Sequence, residues 1–347
     1  MRTFERAAVA AVIALAALAG VAHFAHWTAL LAFALATPAL AGLAWIVSVA
    51  TENVGECVSP PATGLLQATL GNLPELFVVV FALRAGERAV AQSAIVGSLF
   101  ATALLVLGLV ILAGSLRASD RVMRFDPKVA RDAATLLLAC VFIIVIVGLS
   151  LSAGHGVSHH VKLISAVAAV LLLTVYVAWV VPYVRRGVAP EAGEPRIALT
   201  SALALLVLAG VGAGFVSDWF VDALKPSIHA LHISPAFAGL VIVAIAGNAV
   251  EQGVGVVLAA RGKADLAITV VVNSVAQIAA FLFPALVLIS FATGTALTFA
   301  LPPIYIGALA ITAIVVWQVT DDGEGHPYEG WALVATYAVL AIITLYE

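Results

Sequence analysis

Charged residues are scarce in this chain. Asp, Glu, Lys and Arg make up 10% of its 347 residues, 63% are hydrophobic, and the mean hydropathy is +1.15. A soluble domain carries about 25% charged residues, so this chain lacks the charge needed to cover a water-facing surface. The scarcity predicts an integral membrane protein in contact with the lipid bilayer.

Other missing features exclude further classes of function. The net charge is −3, which argues against nucleic acid as a partner. Cys57 and Cys140 form neither a disulfide framework nor a metal motif. The HExxH motif of a metalloprotease is absent, and only Asp321-Asp322 hints at the aspartate-rich motifs of a prenyltransferase. The sequence predicts neither an enzyme nor a cofactor, and an intramembrane enzyme is kept as the alternative from another class.

Long apolar runs predict an all-α, polytopic fold of eleven transmembrane helices. The runs fall at 6–25, 28–50, 62–84, 89–114, 130–152, 161–184, 199–217, 235–260, 265–290, 301–319 and 331–346. The first run resembles a secretory signal peptide, but it is longer than a usual signal core. We interpret it as a retained helix.

The distribution of Lys and Arg predicts the orientation. The N-terminus and the even-numbered helix junctions hold 12 of these residues, and the opposite side holds 4. Because basic residues concentrate on the cytoplasmic side, we expect a cytoplasmic N-terminus in the inner (plasma) membrane. Eleven helices then place the C-terminus outside.

An internal repeat runs through the chain. A shift of 176 positions aligns helices two to six with helices seven to eleven, without a gap over the most similar part. Since five helices is an odd number, the two copies insert in opposite orientations, as in many secondary transporters. The predicted domains are an N-terminal helix (1–26), a first repeat (27–185), a linker (186–198) and a second repeat (199–347).

Each repeat carries a polar motif inside an apolar run, GNLPE from Gly71 and GNAVE from Gly247. Asn72 and Glu75 are three residues apart, so they share a helix face, as do Asn248 and Glu251 in the second copy. A charge at the centre of a membrane helix costs roughly 2.5–3.5 kcal/mol. A protonated packing role would explain one such glutamate, but the second copy argues for function.

Two carboxylates with amide oxygens suit a hard cation such as Ca²⁺. Like charges at one site repel unless a cation or protons compensate them, so we expect cation and protons to compete. Glu75 and Glu251 are the only acidic residues placed deep within the predicted spans. The sequence therefore predicts one shared site for cation and protons rather than a separate proton route.

Polar residues on the following helices extend the candidate site. Ser98 and Ser274 each follow their motif glutamate by 23 residues, and small-residue packing explains both about as well as ion binding. Gln277 is more polar than packing requires, which favours function. The three histidines of the HGVSHH loop are interpreted as solvated rather than metal-binding; they are His155, His159 and His160.

The stretches TGLLQATLGNLPELFVVVFAL, AQSAIVGSLF, GNAVEQ and NSVAQIAAFLFP resemble the signature regions of the cation/proton exchangers, the CAX family of the calcium/cation antiporter superfamily. The resemblance implies one extra helix plus two inverted five-helix repeats, and a Ca²⁺/H⁺ antiporter without a cofactor. It implies that cation and protons bind at the motif glutamates, assisted by neighbouring amides and hydroxyls. Carried over, these are Glu75, Glu251, Asn72, Asn248, Ser98, Ser274 and Gln277. Na⁺(K⁺)/H⁺ and Na⁺/Ca²⁺ exchange remain alternatives, since LPEL also resembles the motif of the sodium/calcium exchanger branch of the superfamily.

The chain departs from the family pattern around these residues. Ala101-Thr102 replaces the usual Ser-Asn, and Asn273 replaces the usual Gly before the second-repeat serine. Gln252 stands where His is frequent, and Gln67 where Asn is usual. Both motif glutamates are retained.

Overall fold

The computed structural model describes residues 3–57, 71–152, 159–185 and 198–347. Over these residues the chain is almost entirely helical, as the sequence predicts. The helices are α1 Thr3–Phe24, α2 Ala29–Cys57, α3 Leu73–Arg84, α4 Arg88–Arg117, α5 Pro127–Ser152, α6 Val161–Arg185, α7 Leu199–Leu231, α8 at 235–260, α9 Ala264–Ser290, α10 Pro303–Asp321 and α11 Pro327–Leu345. Two short strands, β1 Met123–Arg124 and β2 Glu324–Gly325, pair antiparallel.

Most of these helices are long and apolar enough to cross a membrane. Among the described residues nine meet this requirement, and a bent pair in α8, Pro235–Asn248 and Gly253–Ala260, would make ten. The described part of α3 has 12 residues, or about 18 Å at 1.5 Å per residue. The first part of the third predicted run, 62–70, lies outside the described residues.

Helix α7 is longer than the sequence predicted. It continues past residue 217 to Leu231, so Asp218 and Asp222 lie within the helix. Its 33 residues correspond to about 50 Å, more than a bilayer core of about 30 Å requires. The predicted end was wrong because charged residues interrupt the apolar run without breaking the helix. The prediction that Glu75 and Glu251 are the only acidic residues deep within the spans stays a prediction, because a helix longer than the bilayer core has residues outside that core.

The repeat appears in the turns that separate its helices. Gly86 ends α3 with φ +78°, and Gly262, 176 positions later, ends α8 with φ +79°. After each glycine, the next N–H bonds to the carbonyl five residues earlier, at 2.8 and 3.0 Å. This helix ending requires one residue in the left-handed backbone conformation, which glycine adopts without strain.

The helices that follow these turns are also equivalent. α4 begins at Arg88 and α9 at Ala264, and each contains a π-helical stretch, Ala101–Val106 in α4 and Ile278–Leu282 in α9. Leu107 N–H donates to the carbonyl five residues earlier, and Phe283 does the same 176 positions later. The two halves therefore share an unusual local geometry as well as a motif.

The helices form two compact units. The first comprises Met1–Glu87, Val177–Ile233 and Ile245–Val250. In it α2 packs along α7, while α1 packs on α2 and α3 packs on α7. Phe33 and Phe220 meet between α2 and α7 with ring centroids 5.1 Å apart.

The second unit comprises Arg88–Tyr176, Ser234–Ala244 and Glu251–Glu347. In it α5 packs along α10, and α4 crosses the π-helical stretch Ala238–Val243 of α8. The strands β1 and β2 join the α4–α5 and α10–α11 junctions, where the Arg124 Nε lies 3.2 Å from Glu324 Oε1. Each unit combines elements from both halves of the chain, and the repeat domains 27–185 and 199–347 stay a prediction.

Candidate functional site

The first motif lies at the start of α3. Asn72 is the N-cap, and its carbonyl accepts a hydrogen bond of 3.0 Å from Leu76 N–H. Glu75 lies in the first turn, where helix N–H groups favour negative charge. Asn72 and Glu75 are 2% and 1% exposed. Within the described part of the chain, the Asn72 side-chain amide has no hydrogen-bond partner.

The second motif contacts the first inside the first compact unit. Asn248 Nδ2 on α8 donates to Glu75 Oε2 at 3.3 Å, and Asn248 is 3% exposed. Next to it, a Cβ built at Gly247 would lie 3.6 Å from the Glu75 Cβ, an ordinary van der Waals distance. The structure therefore brings Asn248 into contact with Glu75, and Asn72 lies three residues before Glu75 at the N-cap of the same helix.

This group of side chains has the chemistry of a hard-cation site. A carboxylate and amide oxygens are ligands that Ca²⁺ takes, whereas zinc and copper prefer imidazole and thiolate. Among the described residues, no group of three or more His, Cys, Asp or Glu side chains is arranged to hold a metal ion. A carboxylate buried this deeply needs a compensating charge or a proton.

The remaining predicted residues with described side chains lie in the second compact unit. Ser98 on α4 and Ser274 on α9 are buried, at 0% and 6% exposed, and Gln277 is half-buried. The Ala264–Gln277 part of α9 packs against the π-helical stretch of α4, and the Arg88–Phe100 part of α4 packs against the π-helical stretch of α9. Ser98, Ser274 and Gln277 thus lie on two crossing helices, close to π-helical turns of a kind frequent at functional sites.

Two polar residues at this crossing were noted in the sequence only as departures from a family pattern. Thr102 is 4% exposed, and neither its hydroxyl nor the Asn273 Oδ1 has a hydrogen-bond partner among the residues described. Their spacing from the predicted site residues was the signal in the sequence that could have identified them. Thr102 follows Ser98 by four residues, and Asn273 precedes Gln277 by four, so each pair shares a helix face.

Other predicted features lie wholly or partly outside the described residues. The backbone of Glu251 belongs to α8, but its side chain and that of Gln252 are not described. Gln67 and His155 are also outside, while His159 and His160 are exposed.

Comparison with known proteins gives the family. The model of the sodium/calcium exchanger protein family matches residues 28–182 and 201–346. The chain belongs to this family. Among its relatives, a Ca(2+)/H(+) antiporter of Synechocystis sp. is 31% identical and covered over 91% of each chain. The vacuolar calcium ion transporter of Schizosaccharomyces pombe is also 31% identical, over 92% of this chain and 80% of the relative.

Solved structures support the fold of this exchanger family member. The structure of native YfkE matches with a TM-score of 0.83 at 27% identity, over 97% of this chain and 98% of that chain. The H+/Ca2+ exchanger CAX matches with a TM-score of 0.78 at 16% identity, over 99% and 93%. The chain is therefore a multi-pass membrane protein with the exchanger fold.

Proposed function

We propose that this protein is a secondary active antiporter that exchanges Ca²⁺ for H⁺ across the membrane by alternating access. Relatives at 31% identity include a named Ca(2+)/H(+) antiporter that matches nearly the whole chain. The observation that carries the proposal is Glu75, a carboxylate 1% exposed that accepts a hydrogen bond from Asn248 of the repeated motif. Relatives of this kind favour a transporter over an enzyme.

In this proposal Glu75 and Glu251 are the exchange carboxylates. Each binds either part of the cation's charge or a proton, so a cation enters only as protons leave. Asn72 and Asn248 supply neutral oxygens, and the Asn248 N–H at 3.3 Å stabilises the carboxylate of Glu75 when no cation compensates it. Ser98, Ser274 and Gln277 contribute further neutral ligands.

We also propose an orientation and a membrane. The Lys and Arg distribution supports a cytoplasmic N-terminus and, with eleven helices, an external C-terminus; the membrane that we propose is the plasma membrane. Reporter fusions to the two termini, one active only in the cytoplasm and one only outside, test this directly. A cytoplasmic C-terminus would contradict the orientation.

The exchange activity is tested by reconstitution into proteoliposomes that contain a pH-sensitive dye. We expect an imposed Ca²⁺ gradient to drive proton flux in the opposite direction, while Mg²⁺ does not. Na⁺ and K⁺ gradients, applied in turn, test the Na⁺(K⁺)/H⁺ alternative, and uptake of radiolabelled Ca²⁺ driven by Na⁺ tests Na⁺/Ca²⁺ exchange. Absence of proton flux with every cation would contradict the proposal.

A further inference from the structure

The first half of α8 makes a close contact with α4 ahead of the second motif. A Cβ built at Gly97 on α4 would overlap the Leu240 Cα, and one built at Gly239 would overlap the Ser93 Oγ. All four residues belong to the second compact unit. The backbones of the two helices therefore approach each other directly at Leu240, with no side chain between them.

The π-helical stretch Ala238–Val243 of α8 lies at this contact, and it changes the hydrogen bonding of Leu240. In an α-helix the Ala244 N–H would donate to the Leu240 carbonyl, four residues earlier. In the structure the Ala244 N–H donates to the carbonyls of Gly239 and Val241 instead. The Leu240 carbonyl consequently loses its α-helical donor.

Tyr337 of α11 donates a hydrogen bond to that carbonyl. Its buried hydroxyl lies 3.3 Å from the Leu240 oxygen. The start of α8 is attached to α11 as well, because the Ser234 hydroxyl donates to the Thr344 carbonyl. A buried carbonyl that loses its donor is costly, so the Tyr337 hydroxyl stabilises the π-helical geometry of this stretch relative to an α-helical one.

The register of α8 decides which way the second motif faces. Asn248 follows Leu240 by eight residues, about 12 Å along a helix, and its Nδ2 donates to Glu75 Oε2 at 3.3 Å. A π-helical turn holds about one residue more than an α-helical turn. A return to the α-helical register would therefore rotate the residues that follow by about 100°, and Asn248 would no longer face Glu75.

We propose that Tyr337 is a positioning residue for the exchange site, since its hydrogen bond to the Leu240 carbonyl holds the π-helical register of α8 and thereby keeps Asn248 directed at Glu75. The inference rests on the proposed exchange function and extends it to a residue outside both motifs. Tyr337 contacts no cation in this proposal and acts only through α8. Its counterpart 176 positions earlier is Val161, which has no hydroxyl to donate, so the repeat does not predict this role.

The test uses Tyr337→Phe, which removes only the hydroxyl. One hydrogen bond contributes about 1 kcal/mol, or about fivefold in an equilibrium constant, so the π-helical register becomes less populated by up to that factor. Apparent affinity falls with the population of the binding-competent state. We expect the apparent Ca²⁺ affinity in proteoliposomes to fall by up to about fivefold, while the maximum rate of proton flux at saturating Ca²⁺ is retained.

A second measurement follows the register of α8 without any cation. Amide hydrogen exchange over residues 238–250, measured by mass spectrometry in the absence of Ca²⁺, reports local opening of this part of the helix. We expect it to become faster in Tyr337→Phe. Unchanged amide hydrogen exchange in this segment would overturn the positioning role.

The matched control is Tyr305→Phe. Tyr305 is buried in α10 of the same compact unit, and its hydroxyl donates to Glu347 Oε2 at 3.4 Å. The control removes a hydrogen bond of similar length and should change neither the Ca²⁺ affinity nor the amide hydrogen exchange over residues 238–250. If both variants weaken Ca²⁺ affinity equally, Tyr337 only contributes to packing and the proposal is refuted.

A double-mutant cycle tests whether Tyr337 acts through Asn248. Asn248→Ala removes the amide that the α8 register directs at Glu75. In that background Tyr337→Phe should cause no further loss of Ca²⁺ affinity, because residues that act through one interaction are not additive. Fully additive losses would show that the hydroxyl acts by another route and would overturn the proposal.

Direct binding separates this inference from the exchange function. Calorimetric titration of the purified protein with Ca²⁺ measures affinity whether or not protons are transported. Wild-type proton flux together with unchanged Ca²⁺ affinity in Tyr337→Phe would overturn the positioning role and leave the exchange function standing. Wild-type protein without Ca²⁺-driven proton flux would overturn the exchange function, and the amide hydrogen exchange of the two tyrosine variants would still test the positioning role.

Discussion

Replacing Glu75 by glutamine tests the site at its most buried carboxylate. The change removes one charge and one exchangeable proton but keeps the shape of the side chain. Two unit charges 4 Å apart interact by about 4 kcal/mol at an effective dielectric constant of about 20. That energy corresponds to about a thousandfold in affinity. A divalent cation in direct contact gains more before desolvation is subtracted, so we expect Ca²⁺-driven proton flux to fall below detection.

The fold should tolerate this substitution. Glu75 is 1% exposed, and a neutral amide costs less to bury than a carboxylate. Asn248 Nδ2, 3.3 Å from Glu75 Oε2, can donate to the glutamine carbonyl instead. Replacing the charge-assisted hydrogen bond by a neutral one lowers the free energy of unfolding by about 1 kcal/mol. Removing a charge from a buried position raises it and offsets this loss. Thermal unfolding in detergent should therefore change little.

Glu87→Gln is the matched control for this experiment. Glu87 lies just after the α3 helix in the same compact unit, where its Oε1 is 2.7 Å from Lys225 Nζ. The Glu87→Gln substitution makes the same chemical change outside the motif. Its cost in stability is small, because a partly exposed ion pair contributes at most about 1 kcal/mol to the free energy of unfolding. Near-normal proton flux in a folded Glu75→Gln protein would refute the assignment, and loss of flux in both proteins would show that the assay does not discriminate.

Three further predictions concern the rest of the site. Glu251→Gln should abolish Ca²⁺-driven proton flux as Glu75→Gln does, because the repeat makes the two motifs equivalent; retained flux would restrict the chemistry to the first motif. Ser98→Ala should weaken apparent Ca²⁺ affinity by only about fivefold, the contribution of one neutral oxygen, and a complete loss would show that Ser98 does more than provide one ligand. Acidification should weaken apparent Ca²⁺ affinity by up to about tenfold per pH unit for each proton displaced, measured as Ca²⁺ uptake across a pH series. A maximum rate that falls while affinity stays constant would place the proton site elsewhere.

Most helices could be predicted from the sequence because a membrane span needs a long apolar run, and such runs are visible without a structure. The turns at Gly86 and Gly262 follow from the repeat. The π-helical stretches could not be predicted, since no residue preference distinguishes ATALLV or IAAFL from ordinary apolar helix. The end of α7 was missed because Asp218 and Asp222 lower the hydropathy without altering helical geometry.

The candidate site was predictable to the extent that it repeats. Asn72, Glu75 and Asn248 stand out because the same spacing occurs twice, and in the structure Asn248 donates a hydrogen bond to Glu75. Thr102 and Asn273 have no polar counterpart in the other repeat, where Ile278 and Gly97 stand. A lone polar residue in an apolar span usually satisfies itself within its own helix, and only the hydrogen bonds reveal that these two do not.

The carboxylates on α7 sharpen the case for Glu75 as a coupling residue. Asp222 is as much part of a helix as Glu75, and its Oδ2 lies 4.0 Å from His23 Nδ1. Its side chain is 59% exposed, however, so the protein does not enclose its charge. Glu75, at 1% exposed, is enclosed by the protein. In the proposed exchange, whatever leaves Glu75 is replaced by another positive charge, and this requirement would couple the movement of a cation to that of a proton.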